Sequence, residues 1–305
     1  MGFSWPAGLK VLERGWLSAN NILLWDSQMA ALIDSGYVAH ADQTLRLISE
    51  NLGERPLDLL LNTHLHSDHC GGNHALQSKY PSMETRIPPG LADAVLHWDE
   101  DRLSYKPTGQ NCPRFGFNAL LQPGNELSVA GFQWQIHAAP GHDPHSVILF
   151  EAQHRILISA DALWESGFGV VFPELEGISA FNDVGLTLDL IESLQPLHVI
   201  PGHGQAFHDL QTALNVARRK LDGYIQNPDK HAMYGAKVLI KFKMLEWGEV
   251  GQTTFAAWAS EHSHLRSLHR LQCPEQDYAE WLRMVLAELV RSQALQLCDQ
   301  LIINL

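Results

Sequence analysis

The sequence predicts an α/β protein in which two sheets carry helices on their outer sides, followed by a helical tail. Three observations lead there. Short apolar runs of strand length alternate with stretches of helical spacing. The alternation occurs in two similar halves, before residue 100 and again between about 120 and 201. From about residue 207 the pattern is mostly helical to the end. The pattern alone does not fix the number of layers.

In order, residues 21–25 and 30–33 read as two strands joined by the turn Asp26-Ser27-Gln28, with Asp34-Ser35-Gly36 as a second turn signal. Residues 41–52 carry Leu45, Ile48 and Leu52 at helical spacing. Residues 57–61 (LDLLL) read as a buried strand, a helix begins near Asn73, and 90–98 reads as a short helix. The span 99–118 is rich in Pro, Gly, Asn and charge and reads as a lid or binding loop. Strands follow at 126–129, 132–138, 146–151 and 155–159, then a helix over 179–194 and a strand over 197–201. In the tail, 236–247, 253–260 and 278–292 read as helices and 295–303 as a strand pair or wing.

Composition narrows the function classes. Hydrophobic content of 45% and charged content of 18% suit a globular core. A net charge of −13 argues against a general nucleic-acid surface and against attachment to anionic membrane. No stretch approaches the ~20 apolar residues of a membrane span. The start, MGFSWPAGLK, carries neither a secretory leader pattern nor a myristoylation pattern. The four cysteines form no CxxC pair, so a reduced, cytoplasmic protein is expected.

The seventeen histidines are informative where they cluster. Residues 62–74 read NTHLHSDHCGGNH, directly after the 57–61 strand. At the end of a strand, His64 and His66 project the same way and can grip one ion. The turn through Ser67 brings Asp68 and His69 to the same hollow, and Gly71-Gly72 let the chain turn before the next helix. Imidazole and carboxylate suit zinc, iron or manganese. Later strand ends beside small residues offer His142 (PGHDPHS), Asp161 (ISADA) and His203 (PGHG).

HxHxDH followed in order by a glycine-preceded His, a strand-end Asp and a glycine-flanked His resembles the metallo-β-lactamase-fold hydrolases over residues 15–210. The resemblance implies a four-layer αββα sandwich with its site at the edge of the two sheets. It implies His64, His66 and His142 on one metal ion, Asp68, His69 and His203 on a second, and Asp161 between them. The ions would be two divalent cations, zinc first, with iron or manganese as alternatives, and they would activate a water. Asp68 would hold the second ion and orient that nucleophile.

β-Lactamases of this fold replace the bridging Asp, and nucleic-acid-processing relatives insert a domain before the last ligand. Asp161 and the short connection to His203 speak against both. Glyoxalase II-type thioesterases and lactonases share the whole pattern. The expected activity is therefore hydrolysis of a small ester, thioester or lactone. The alternatives are a mononuclear iron persulfide dioxygenase and a non-catalytic metal-binding protein of the same fold. The expected division is a catalytic domain over 1–210 and a C-terminal module over 211–305 that resembles a small winged helix. Lys and Arg nearly balance Asp and Glu over 231–305, so no nucleic-acid partner is expected of it; covering the site or making a homodimer contact is. Trp164, Phe168 and Phe172 are candidates for a substrate pocket or for core packing, as are Tyr105 and Phe115. Cys70 reads as a packed thiol, His74 as an ordinary helix residue, and His145 as a turn residue or a substrate contact. His262, His264 and His269 read as solvated.

Overall fold

The computed structural model describes residues 5–305. The first sheet opens with β1 (Leu9–Leu12), β2 (Asn21–Trp25) and β3 (Ala30–Ile33). Asp26 Oδ1 accepts from the amides of Gln28 and Met29 (2.7 and 2.9 Å) and so closes the β2–β3 turn. Helix α1 (Ala41–Leu52) then buries Thr44, Ile48 and Leu52 and ends at Gly53, whose φ of +63° suits glycine. β4 is only Leu59–Leu61, all leucine and all buried, because parallel neighbours flank it on both edges. Two helices, α2 (Ser67–Cys70) and α3 (Asn73–Lys79), lead to β5 (Glu84–Ile87); α4 (Ala92–His97) leads to the loop before β6 (Ala119–Leu120). The sheet order is β1-β2-β3-β4-β5-β6.

β7 (Glu126–Val129), β8 (Phe132–Ala138), β9 (Val147–Glu151) and β10 (Ile156–Ala160) form an antiparallel meander. Helices α5 (Phe172–Leu175) and α6 (Phe181–Leu194) lead to β11 (His198–Pro201), which joins β10 in parallel. The second sheet runs β11-β10-β9-β8-β7.

Three apolar layers hold the sandwich. Leu24, Ile33 and Leu61 of the first sheet meet Trp134, Leu149 and Ile158 of the second. Ile48, Leu52 and Leu76, from α1 and α3, cover the outer face of the first sheet. Leu188 and Ile191 of α6, with Leu214 and Leu221 of α7 (Leu210–Gln226), cover that of the second. The expected αββα order is therefore observed. The remainder, α8 (Pro228–Trp247), β12 (Glu249–Gly251), α9 (Gln252–Glu261), α10 (Ser263–Gln272), α11 (Tyr278–Arg291), β13 (Leu295–Cys298) and β14 (Leu301–Asn304), has its own core around Leu239, Ile240, Leu265, Leu268, Trp281 and Val285. Its small sheet runs β12-β14-β13.

Several expectations are corrected. Strands β1, β5 and β6 are additional; they lie at or near the sheet edge and are short or mixed in character. α8 begins at Pro228, eight residues before the expected start, because its first turns pack on neighbouring aromatic rings such as Tyr224 and carry no simple amphipathic stripe. α10 is a helix where a polar stretch was expected, and its cap His262 is buried, with His264 and His269 half-buried. Among the described residues no helix is long and apolar enough to cross a membrane.

Candidate metal centre

The centre forms where chain-parallel strands end side by side. β3 and β4 run parallel in one sheet and β10 and β11 in the other, so the segments after them emerge at one edge of the sandwich. Those segments carry Asp34, His64–His69, Asp161 and His203; the β8–β9 connection adds His142. Strand β4 stops at Leu61, so His64 and His66 lie in the turn beyond it, and Asp68 and His69 sit on α2, not in an open turn.

The seven predicted residues come together in two groups. One donor atom each of His64, His66 and His142 lies within 4.8 Å of the others, and the same holds for Asp68, His69, Asp161 and His203. His64 Nε2 is 3.1 Å from His66 Nδ1, which is 2.8 Å from His142 Nε2. Three imidazole nitrogens thus face one point. Asp161 stands between the groups: its Oδ2 is 3.4 Å from His142 Nε2, and its Oδ1 is 3.4 Å from His69 Nε2. His203 Nε2 is 3.0 Å from Asp68 Oδ2.

Neighbours fix the orientation of these rings. Asp34 Oδ2 is 2.7 Å from His69 Nδ1, which turns His69 Nε2 toward the centre. Asp34 also accepts from the amide and hydroxyl of Thr63 (2.9 and 2.7 Å). His142 Nδ1 is 2.5 Å from the Val170 carbonyl, and Asp143 Oδ2 is 3.7 Å from His66 Nε2. Asn20 ties down the loop of His203 by donating to the carbonyls of Pro201 and Gly204 (2.9 and 2.8 Å). Asp34 and Ala160, the strand-end residues behind the cluster, have φ of +57° and +46°, strain of the kind that collects at functional sites.

Electrostatics distinguish the two groups. Burial, reinforced for His142 by the neighbouring His66, pushes both His66 and His142 down to about 4, so both are neutral near pH 7. Burial also lowers His64. At His69 burial opposes the charge, but the carboxylates of Asp34 and Asp161 outweigh it and raise its pKa. Asp161 is buried too, yet His203 and His69 hold it well below the usual carboxylate range. His64, His66 and His142 are thus in the neutral form that a divalent cation needs, beside an ionised Asp161, whereas His69 would release a proton on binding one.

The donor set fits such cations. His69 Nε2 is buried without a hydrogen-bond partner although it points at the cluster. The surroundings also leave no room for larger side chains. A Cβ at Gly202 would stand 2.2 Å from Asp161 Oδ1, and one at Gly169 would stand 2.4 Å from His142 Nδ1.

The sequence-level profile of the metallo-β-lactamase superfamily matches residues 14–215. The chain belongs to the metallo-β-lactamase superfamily. Curated relatives include the acyl-coenzyme A thioesterase MBLAC2 of Gallus gallus, 27% identical over 65% of this chain and 77% of that one. The hydroxyacylglutathione hydrolase of Erwinia tasmaniensis is 30% identical, but the match covers 58% of this chain and only 55% of that enzyme. Among solved structures, a metallo-β-lactamase family protein of Thermus thermophilus superposes with a TM-score of 0.57 at 17% identity, covering 98% of this chain and 99% of that one. A β-lactamase domain protein of Burkholderia ambifaria gives 0.61 at 20% identity, covering 89% of each. These two establish the shared fold.

Around the centre, Trp164 and Phe172 line the adjoining cavity, whereas Phe168 is buried in the helix-facing core of the second sheet. Trp164 Nε1 donates to Asp161 Oδ1 (3.2 Å), and Trp16 stacks on His203 with ring centroids 5.4 Å apart. Tyr105 and Phe115 are buried with Cys70 and Leu65 away from the cavity. His145 is exposed on the turn after His142, against Gly90. Asp34, Asn20, Asp143 and Trp16 were missed from sequence. Asp34 sits in a turn-like triplet, and one sequence does not separate a ring-orienting carboxylate from a turn residue.

Proposed function

We propose that the protein is a dinuclear metal-dependent hydrolase of a small thioester, ester or lactone, with thioesters foremost. The observation that carries this reading is the placement of Asp161, one carboxylate oxygen toward each histidine group. His64, His66 and His142 would hold one zinc ion, Asp68, His69 and His203 the other, and Asp161 would serve both. Bound there, the ions would supply Lewis acidity and a water acidified from 15.7 toward ~7.

The chain's own residues do the rest. Asp68 lines the cavity, and hydrogen bonding and charge from His203 and His69 outweigh burial to keep its carboxylate ionised. It can therefore orient the nucleophile, accept its proton at a carboxylate oxygen and return a proton to the leaving group. Asp34 and the Val170 carbonyl hold His69 and His142 in the tautomers that leave the inward nitrogens free. Trp16 and Trp164 flank His203 and keep bulk water from that side. The relatives named above are a thioesterase and a hydrolase of an acylated thiol, which supports the thioester preference. We further assign the chemistry to the domain expected over 1–210, extended through α7 because that helix packs on the second sheet, and substrate enclosure to a winged-helix-like module that begins at α8 instead of at residue 211.

The test is metal content with an anaerobic assay over thioesters, esters and lactones. Two ions per chain and oxygen-independent turnover are expected. His66→Ala should stay folded and lose at least ~100-fold in turnover. One iron per chain with oxygen-dependent consumption of a persulfide would replace this reading with the dioxygenase.

A further inference from the structure

We propose that the substrate carries an apolar, alkyl acyl chain, and that a second apolar stripe of α8 forms its binding wall. This rests on the hydrolase reading above and specifies its substrate class. The observation is a helix that is apolar on two opposite sides. Ala236, Leu239, Ile240 and Met244 are buried in the core of the C-terminal region. Tyr234, Val238, Phe242 and Leu245 recur at i, i+4, i+8 and i+11, which at 3.6 residues per turn places them on the far side of the helix. A helix apolar on both sides needs cover on both. Here Tyr234 stacks on Tyr224 and Phe242 packs edge-on against Tyr37, and the remainder of the second side, half-buried, faces a cavity.

That cavity is the one into which the metal centre opens. His66, Asp68, His142, Asp161 and His203 line one end of it, and the α8 stripe lines a wall. Val170, Phe172, Leu239 and Leu289, with Trp16 and Trp164, add to the apolar lining. The Phe172 ring lies 4.9 Å from that of His66, so apolar surface begins at the reacting centre itself. Two polar groups on the wall, the Lys237 ammonium and the Tyr234 hydroxyl, make no hydrogen bond among the described residues, while others are engaged. Lys241 spends its ammonium on the carbonyls of Ala294 and Leu305 and on Asn304 Oδ1, and Gln110 accepts from Ser67 Oγ. A polar acyl group such as a hydroxyacyl would reach Lys237 or Tyr234 but would leave Val238, Phe242 and Leu245 wet. An alkyl chain would cover them.

The cavity, about 360 Å³ and open to solvent on one side, has room for an alkyl chain of several carbons. The chain length is what the experiment reads.

The experiment uses the full-length, metal-loaded protein and one thiol acylated with saturated chains from two to fourteen carbons, plus a hydroxyacyl group. For wild type, kcat/KM should rise with chain length by up to about fourfold per methylene until the stripe is covered, and then level off or fall. Val238→Phe should move the optimum to shorter chains and Phe242→Ala to longer ones. Calorimetry with the non-hydrolysable decyl thioether of the same thiol gives a second readout without turnover; Val238→Phe should weaken binding about tenfold. Equal rates for acetyl, hydroxyacyl and decanoyl thioesters overturn the proposal, as does a decyl thioether that fails to bind wild type. If either variant fails to fold, the wild-type length profile and thioether binding still decide. Thioether binding without hydrolysis of any thioester, ester or lactone would instead remove the hydrolase reading and leave the alkyl site standing.

Discussion

Asp34 shows how one side chain outside the metal-competent set governs the centre. Its carboxylate fixes the His69 ring and satisfies the Thr63 amide that begins the metal-competent segment. Asp34→Asn keeps the volume but removes the charge that holds the His69 tautomer. Affinity for the second ion should fall ~10–100-fold, read by chelator competition. An unchanged affinity would show that packing alone orients the ring. Gly202 makes a different point. Its Cα sits so close to Asp161 and His69 that Gly202→Ala must displace them, since a Cβ would lie 2.2 Å from Asp161 Oδ1. The variant should fold and bind fewer than two ions per chain by metal analysis.

At the level of elements, the 99–118 loop is held by the C-terminal helices. His262, the cap of α10, accepts from the Leu265 amide through Nδ1 and donates through Nε2 to the Thr108 carbonyl (3.0 Å). Ser263 Oγ donates to the Pro107 carbonyl. The same loop contributes Ser104, Thr108 and Gln110 to the cavity, so α10 shapes the substrate space without touching the centre. His262→Ala removes a cap and leaves a carbonyl unpaired. It should cost about 1–3 kcal/mol in urea unfolding and raise KM more than it lowers kcat. A change under ~0.5 kcal/mol would mean that the clamp is dispensable.

For the whole molecule, acid should be destabilising through its buried histidines. His66, His142 and His262 are pushed down to about 4 first of all by burial, and His231 likewise by burial and by Lys220. In the unfolded chain each titrates near 6.5. Between about pH 6.5 and 4 the unfolded chain therefore binds protons that the folded chain refuses, and stability falls as pH falls. His69 acts oppositely: its raised pKa contributes stability that is present below 6.5 and lost as pH rises through the folded value. His64, also lowered by burial, and His40, His137 and His198 act in the same direction as the four, and together they set the net sign against His69. Chelator-treated protein should lose on the order of 1–2 kcal/mol for each of the first four between pH 7 and 5, by denaturant unfolding. A flat profile would place these rings in solvent.

The sequence by itself determined the alternation of strands and helices, and it named all seven donors of the two groups. The alternation and the 64–69 cluster are written in local signals, while His142, Asp161 and His203 were joined to them by the order of the family pattern they resemble. Strand runs have a short apolar period, and histidines crowded after LDLLL have no bland use at a buried strand end. Tertiary structure alone decided what touches what. Asp34 reads as a turn residue until His69 is seen 2.7 Å away, and His262 reads as solvated until the Thr108 carbonyl is found against it. The second stripe of α8 was equally hidden, because 236–247 shows an amphipathic helix whichever side is taken as buried. Periodicity records that a face is apolar. Only contacts between residues distant in the chain decide whether protein, solvent or substrate covers it.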